Sequence, residues 1–172
     1  MNDEHESIDE VRRVVRRARV AQRVADGWSQ ARVDEVVAAA AWAILEPGRN
    51  RELAELAVAT TGVGNVEDKI RKNHRKTLGL LRDIRSAKTH GIIEDDPTTG
   101  ITKIARPIGV IGAVVPSTNP VATPANNVIN ALKCGNAIIL SPRPRGWRYA
   151  SGCWATFTPS STRSGWTMTS SR

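Results

Sequence analysis

Aromatic side chains are scarce and unevenly placed. The 172 residues contain five tryptophans, one tyrosine and one phenylalanine, and Trp147, Trp154, Trp166, Tyr149 and Phe157 all fall in the last 26. The rest of the chain must build its core from Leu, Ile, Val and Ala, which are plentiful enough for one globular domain. Cysteine is nearly absent: Cys134 and Cys153 make neither a disulfide framework nor a metal-ligand spacing, so a reducing cytoplasm is expected. Long apolar runs are missing too. The longest, Val36 to Leu45, has ten residues, four of them consecutive alanines, well short of the ~18–20 needed to span a membrane. The opening MNDEHESIDE is acidic and has no apolar centre, which excludes a secretory signal. No GxGxxG turn for cradling a dinucleotide occurs.

What is present is basic, with a formal net charge of +8. Residues 141–172 hold five arginines and no acid, so over half of the excess sits in the last fifth of the chain. From residue 147 onward there is no Leu, Ile, Val, Asp, Glu or Lys, and eleven of the 26 residues are Ser or Thr. No helical or strand period can be read there.

Upstream, the patterns predict four helices in succession. Ser7-Ile8-Asp9-Glu10 reads as a capping box for a helix to about Gly27, with Ile8, Val11, Val15 and Ala18 on one face and six arginines around them. Ser29 caps a second, over 30–45, ended by Pro47-Gly48; its alanines and Trp42 predict close packing. Asn50 is read as the cap of a third, over 51–60, stopped by Gly62 and Gly64. Asn65 caps a fourth, over 66–86, with Glu67 and Asp68 at the positive end of its dipole and Lys69, Arg71, Lys72 and His74 on exposed faces. Residues 91–95 and 101–105, joined by Asp96-Pro97-Thr98-Thr99-Gly100, read as a hairpin.

The chain is organised around residues 106–142. The apolar run 108–115 suits a strand buried on both faces, with Gly109 and Gly112 inside it. A polar loop, Pro116-Ser117-Thr118-Asn119, follows. A helix over 123–133 ends at Cys134-Gly135-Asn136, and a second apolar run, 137–140, leads into Ser141-Pro142. This is a strand–helix–strand crossover. Ligands of open α/β sheets bind beyond the carboxyl ends of the strands, where both polar segments lie. From its residues alone, Asn119 reads either as a neutral, directional oxyanion donor or as an asparagine closing an Asx-turn before Pro120.

These pieces together resemble the aldehyde dehydrogenase superfamily, specifically its coenzyme-A-acylating branch. The resemblance rests on Pro107-Ile108-Gly109-Val110, Pro116 to Pro120, Ala131 to Ala137 and Ser141-Pro142. Upstream it rests on Thr61 to Lys69, Lys72-Asn73-His74 and Gly91 to Asp96. It covers about Ile8 to Gly146. It implies an α/β fold: the N-terminal part of a Rossmann-type cofactor domain, with a helical layer, a β-hairpin and a first βαβ unit. Residues 1–146 would be that partial domain, and 147–172 a disordered or non-native tail produced by a reading-frame shift. A natural aromatic tail binding single-stranded nucleic acid is the competing reading.

The resemblance also implies chemistry: NAD(P)-dependent oxidation of an aldehyde to an acyl-CoA, with coenzyme A as co-substrate. It casts Asn119 as the oxyanion donor, and Pro116, Ser117 and Thr118 as contacts of the nicotinamide half of the cofactor. Ser141, Pro142 and Arg143 would hold the adenosine end, with Arg143 favouring the phosphorylated ribose of NADP. Small aldehydes and acyl-CoA are the expected partners, and nucleic acid and membrane are not. The hairpin would help to build a homo-oligomer. The family's catalytic cysteine matches no residue here. Cys134 reads as a buried structural thiol, and no base lies near Cys153, so the chain alone is expected to be inactive. The run Asn73 to Leu81 leans toward a sulfoacetaldehyde enzyme. The reading from a different class is a non-catalytic basic module that binds nucleic acid or another partner.

Overall fold

In the computed structural model, the described residues are 2–142, 157–159 and 166–168, with side chains described from Ile8 to Ser141. Four helices come first: α1 (Asn2–Ala25), α2 (Gln30–Leu45), α3 (Pro47–Thr61) and α4 (Val66–Ile84). β1 (Gly91–Asp96) and β2 (Ile101–Ala105) form an antiparallel hairpin. Then β3 (Ile111–Val115), α5 (Ala122–Lys133) and β4 (Ile138–Pro142) make a crossover whose strands pair in parallel. In the tail, Phe157–Pro159 and Trp166–Met168 pair as antiparallel strands. Segments of three residues are too short to show a period in sequence.

Several helix ends follow their signals. Ser29 accepts from the Arg32 amide at 3.2 Å and starts α2. Asn65 accepts from the Asp68 amide at 2.8 Å and starts α4. Two expected starts are corrected. The backbone is already helical from Asn2, so Ser7 lies within α1 and is no cap; Asp3 and Glu4 suit a first turn, and no breaker precedes Ser7. Asn50 does not cap α3. Glu46 does, accepting from the Gly48 and Arg49 amides at 3.0 and 2.7 Å, with Pro47 in the first turn. Proline there gives up only an amide that lacks a helical partner anyway. Asn50, freed from capping, is buried and bonds Asn73.

The core sits where α2, α3 and α5 meet. Val36, Val37, Ala40, Ala41 and Ile44 of α2 pack against Leu53 and Ala57 of α3 and Ala125, Val128, Ile129 and Leu132 of α5. Leu80, Leu81 and Ile84 of α4, with Ile138 and Leu140 of β4, close it. The alanines let α2 approach its neighbours closely. Trp42 takes no part in this and is 61% exposed, because it lies on the α2 face turned away from the core. Lys69, expected on an exposed face, is buried. His74 is exposed as expected.

The first central strand is shorter and barer than expected. It starts at Ile111, not at 108. Gly109 lies outside it with φ +122°, a conformation that glycine adopts freely and that breaks the extended run. Nor is it buried on both faces: Ile108 is 93% exposed and Val114 is 75% exposed. α5 packs against β3 and β4 and α1 packs against β4, and along β3 only Ile111, Ala113 and Val115 are even partly covered.

Candidate functional site

Parallel pairing decides where the polar segments go. Val114 lies opposite Ser141 and Val115 opposite Pro142. Both strands therefore end at the same level, and Pro116, Ser117 and Thr118 leave β3 beside Ser141 and Pro142. The crossover brings together two segments separated by a helix in sequence. Pro116, Thr118 and Ser141 are exposed there, and Ser117 and Asn119 are half-buried. Arg143 and the Pro142 side chain lie outside the described residues.

Asn119 stands just before α5. Its carboxamide makes no hydrogen bond among the described residues, so the Asx-turn that its position before Pro120 allowed is not formed. The helix behind it is also open at this end. Val121 at the N-cap supplies no side-chain hydrogen bond, so the first-turn amides have no side-chain cap at the positive end of the α5 dipole, two residues after Asn119. A carboxamide with free donors beside an uncapped helix start is suited to negative charge on an oxygen.

The other ends of the strands are fixed by side chains that sequence patterning did not single out. Gln22 of α1 donates to the Gly135 carbonyl at 2.9 Å and to Asp26 at 2.7 Å, and accepts from the Ala137 amide at 2.6 Å. Asn136 accepts from the Gly109 amide at 2.9 Å, holding the chain that leads into β3. Gln30 accepts from the Thr89 and His90 amides at 2.8 and 3.1 Å. Thr89 donates to the Lys133 carbonyl. The Lys133 ammonium, 4% exposed, pairs with Asp34 at 2.6 Å. These bonds join α1 and α2 to the crossover and set its placement. A buried glutamine carries no periodic signature, so nothing local marks it in advance.

Cys134 is exposed, which corrects the expectation of a buried thiol. It falls at the turn after α5, beyond the last core-facing residue. It lines a groove of about 630 Å³ along β3 and α5, with Ile111, Ala113, Asn127, Asn130 and Ala131. None of Pro116, Ser117, Thr118, Asn119 or Ser141 lines that groove. Among the described residues no group of three or more potential metal ligands occurs, and no helix is long and apolar enough to cross a membrane.

Comparison with known proteins places this geometry. Residues 4–151 match the model of the aldehyde dehydrogenase family. Over 140 residues the chain is 65% identical to a sulfoacetaldehyde dehydrogenase (acylating) from Cupriavidus necator, covering 81% of this chain and 28% of the relative. Among solved structures, an acetylating aldehyde dehydrogenase from Geobacillus thermoglucosidasius superposes with a TM-score of 0.78 at 37% identity, over 87% of this chain and 32% of that one. A Rhodopseudomonas palustris propionaldehyde dehydrogenase with bound CoA matches at 0.62 and 30% identity, over 77% and 29%. An engineered glycolyl-CoA reductase with bound NADP+ matches at 0.63 and 30%, over 81% and 30%. The chain thus spans little more than a quarter of the length of the curated relative. Its helical layer, hairpin and crossover are those of acylating members, and the chain belongs to the aldehyde dehydrogenase family.

Proposed function

We propose that this chain supplies part of the cofactor-binding half of an NAD(P)-dependent, coenzyme-A-acylating aldehyde dehydrogenase. In that reaction an aldehyde, CoA and oxidised nicotinamide give an acyl-CoA and reduced nicotinamide. Asn119 donates to the oxygen of the tetrahedral intermediate through its side-chain amide, and the α5 N-terminus adds its dipole. Pro116, Ser117 and Thr118 contact the nicotinamide half, and Ser141, Pro142 and Arg143 the adenosine half. The observation that carries the reading is the unpartnered Asn119 carboxamide just before an uncapped helix start, in the loop that leaves β3 where the paired strand β4 also ends. Sulfoacetaldehyde is the substrate we favour, on the strength of the Cupriavidus necator relative's name and its identity to this chain.

Residues 1–146 form the partial domain, and the sequence after residue 146 is foreign to it. The chain by itself is inactive, because neither cysteine is set up as a nucleophile. Cys134 lines a groove that excludes the Asn119 corner, and Cys153 has no base near it in sequence.

A chimaera tests the site. Residues 8–141 replace the matched segment of the Cupriavidus necator relative, and turnover of sulfoacetaldehyde with CoA and NAD(P)+ is measured. The chimaera is expected to turn over. Asn119→Ala is expected to lower its kcat by about 10²–10³, the usual effect of losing one oxyanion donor, with little change in KM for CoA. An unchanged kcat would refute the assignment. Turnover by the unaltered chain alone would refute its inactivity.

A further inference from the structure

We infer that Lys69 is a second point of contact with aldehydes: its side-chain amine condenses with a small aldehyde to a neutral imine, apart from the cofactor corner at β3 and α5. The inference rests on reading the chain as part of an enzyme that meets aldehydes, but not on the role of Asn119.

Packing sets this amine apart. Lys69, Asn73 and Thr77 recur at i, i+4 and i+8 and form the buried stripe of α4. Asn73 meets Asn50 of α3 at 2.9 Å. Lys69 is 6% exposed and meets no such group. The acids beside it in sequence are engaged elsewhere, Glu67 with Arg51 and Asp68 with Arg71. Among the described residues no carboxylate pairs with its ammonium.

The amine is nevertheless reachable. Helix side chains lean toward the N-terminus, which brings the Lys69 stem back to the turn before α4. A Cβ placed on Gly64 would stand 3.8 Å from Lys69 Cε. Gly64 is exposed, with φ +76°, and has no side chain to close the approach. Among the described residues, the side-chain polar atoms both sealed from solvent and without a partner are Thr77 Oγ1, His90 Nδ1 and Asn126 Oδ1. The Lys69 nitrogen, although unpartnered, is not one of them, so it keeps contact with solvent.

The chemistry follows from that placement. A desolvated lysine without a counter-ion is suited to imine formation, because the unprotonated amine is the nucleophile. Desolvation, and then the Lys72 charge, hold its pKa below the ordinary 10.5. The amine adds to the aldehyde carbon, its two protons leave with the carbonyl oxygen as water, and a C=N bond takes the place of C=O. The imine is uncharged, so condensation also removes the penalty of holding an unpaired cation out of water. The narrow opening favours a short aldehyde over a branched one. Lys133 is the internal contrast. It is as deeply buried, but Asp34 holds its ammonium at 2.6 Å, and a paired ammonium offers no lone pair.

Reductive trapping tests this. The folded chain, identified by its cooperative melt, is incubated at pH 7 with acetaldehyde and cyanoborohydride, without CoA or nicotinamide. N-ethylation of each lysine is followed by peptide mass analysis. Lys69 is expected to be labelled about threefold or more faster than the exposed Lys76 and Lys88, and Lys133 least of all. With isobutyraldehyde the preference for Lys69 is expected to fall, and in urea that unfolds the chain it is expected to vanish.

A Lys69 rate no higher than that of Lys76 and Lys88 in the folded chain would overturn the inference. A preference that survives unfolding would assign it to local sequence and overturn it equally, as would labelling of Lys133 at the Lys69 rate. The assay contains no cofactor, so Lys69 labelling alongside an inactive chimaera would count against the proposed catalysis alone.

Discussion

Burial gives Lys69 an unusual position among the bases of α4. It is 6% exposed and has no acidic partner within ion-pair distance among the described residues. Desolvation, followed by the neighbouring Lys72 charge, holds its pKa below the ordinary 10.5. The unfolded chain therefore binds this proton more tightly than the folded one, and stability rises with pH from the depressed value up to about 10.5. Lys69→Met removes the cost of the buried charge. It is expected to raise Tm at pH 7, with the gain shrinking as pH climbs through that window; thermal melts across pH 7–11 check this. Lys133 is as deeply buried, but Asp34 meets its ammonium. The two lysines show that burial of a base has no single meaning. Asn119 makes the same point for carboxamides. Asn50, Asn73 and Asn136 all spend their amides on internal bonds, and Asn119 spends none.

At the scale of elements, termini carry most of the specific information. The Glu46 carboxylate joins α2 to α3. Its pKa is lowered chiefly by the Arg49 amide and then by the Gly48 amide. A carboxylate depressed in the folded state stabilises above its ordinary value of 4.5, and the contribution is lost as pH falls through the lowered value. Glu46→Gln is expected to lower Tm at neutral pH, and the difference from the unaltered chain is expected to close as pH falls through the lowered value, below which both side chains are uncharged. Equal Tm differences at pH 7 and pH 3 would show that the charge is immaterial. The hairpin behaves differently. Ile92, Ile101 and Ile104 are all more than half exposed, and an isolated two-stranded ribbon is marginal in water. Its cross-strand Glu94–Lys103 pair, at 2.7 Å and open to solvent, adds little.

Across the whole molecule, Gln22 connects the beginning of the chain to the sheet. It is 8% exposed and reaches residues 113 and 115 positions away. Gln22→Leu leaves the Gly135 carbonyl and the Ala137 amide without these partners. The expected loss is roughly 2–3 kcal/mol, the range for orphaned buried polar groups, read from denaturant melts. Faster hydrogen exchange at Ala137 should accompany it. If the amide's exchange is unaltered, α1 does not hold the strand.

The sequence by itself determined the helical layer, the hairpin, the crossover and the family, because caps, turn residues and apolar periods are local signals and the motifs lie in order along the chain. It placed Ser29 and Asn65 at their helix starts. It misplaced Asn50, because a capping residue and a buried hydrogen-bonding residue look alike in one dimension. It also read residues 108–115 as a strand buried on both sides, because apolar composition reports what a strand can bury and not what is there to cover it. Only the tertiary structure decided that β3 begins at Ile111 and has β4 as its one neighbour among the described residues, that Gln22 and Lys133 tie the helices to the crossover, and that Val115 and Pro142 end their strands at one level. Those outcomes depend on strand register and on partners far apart in sequence, where the free energy of a contact is set by the whole packed body.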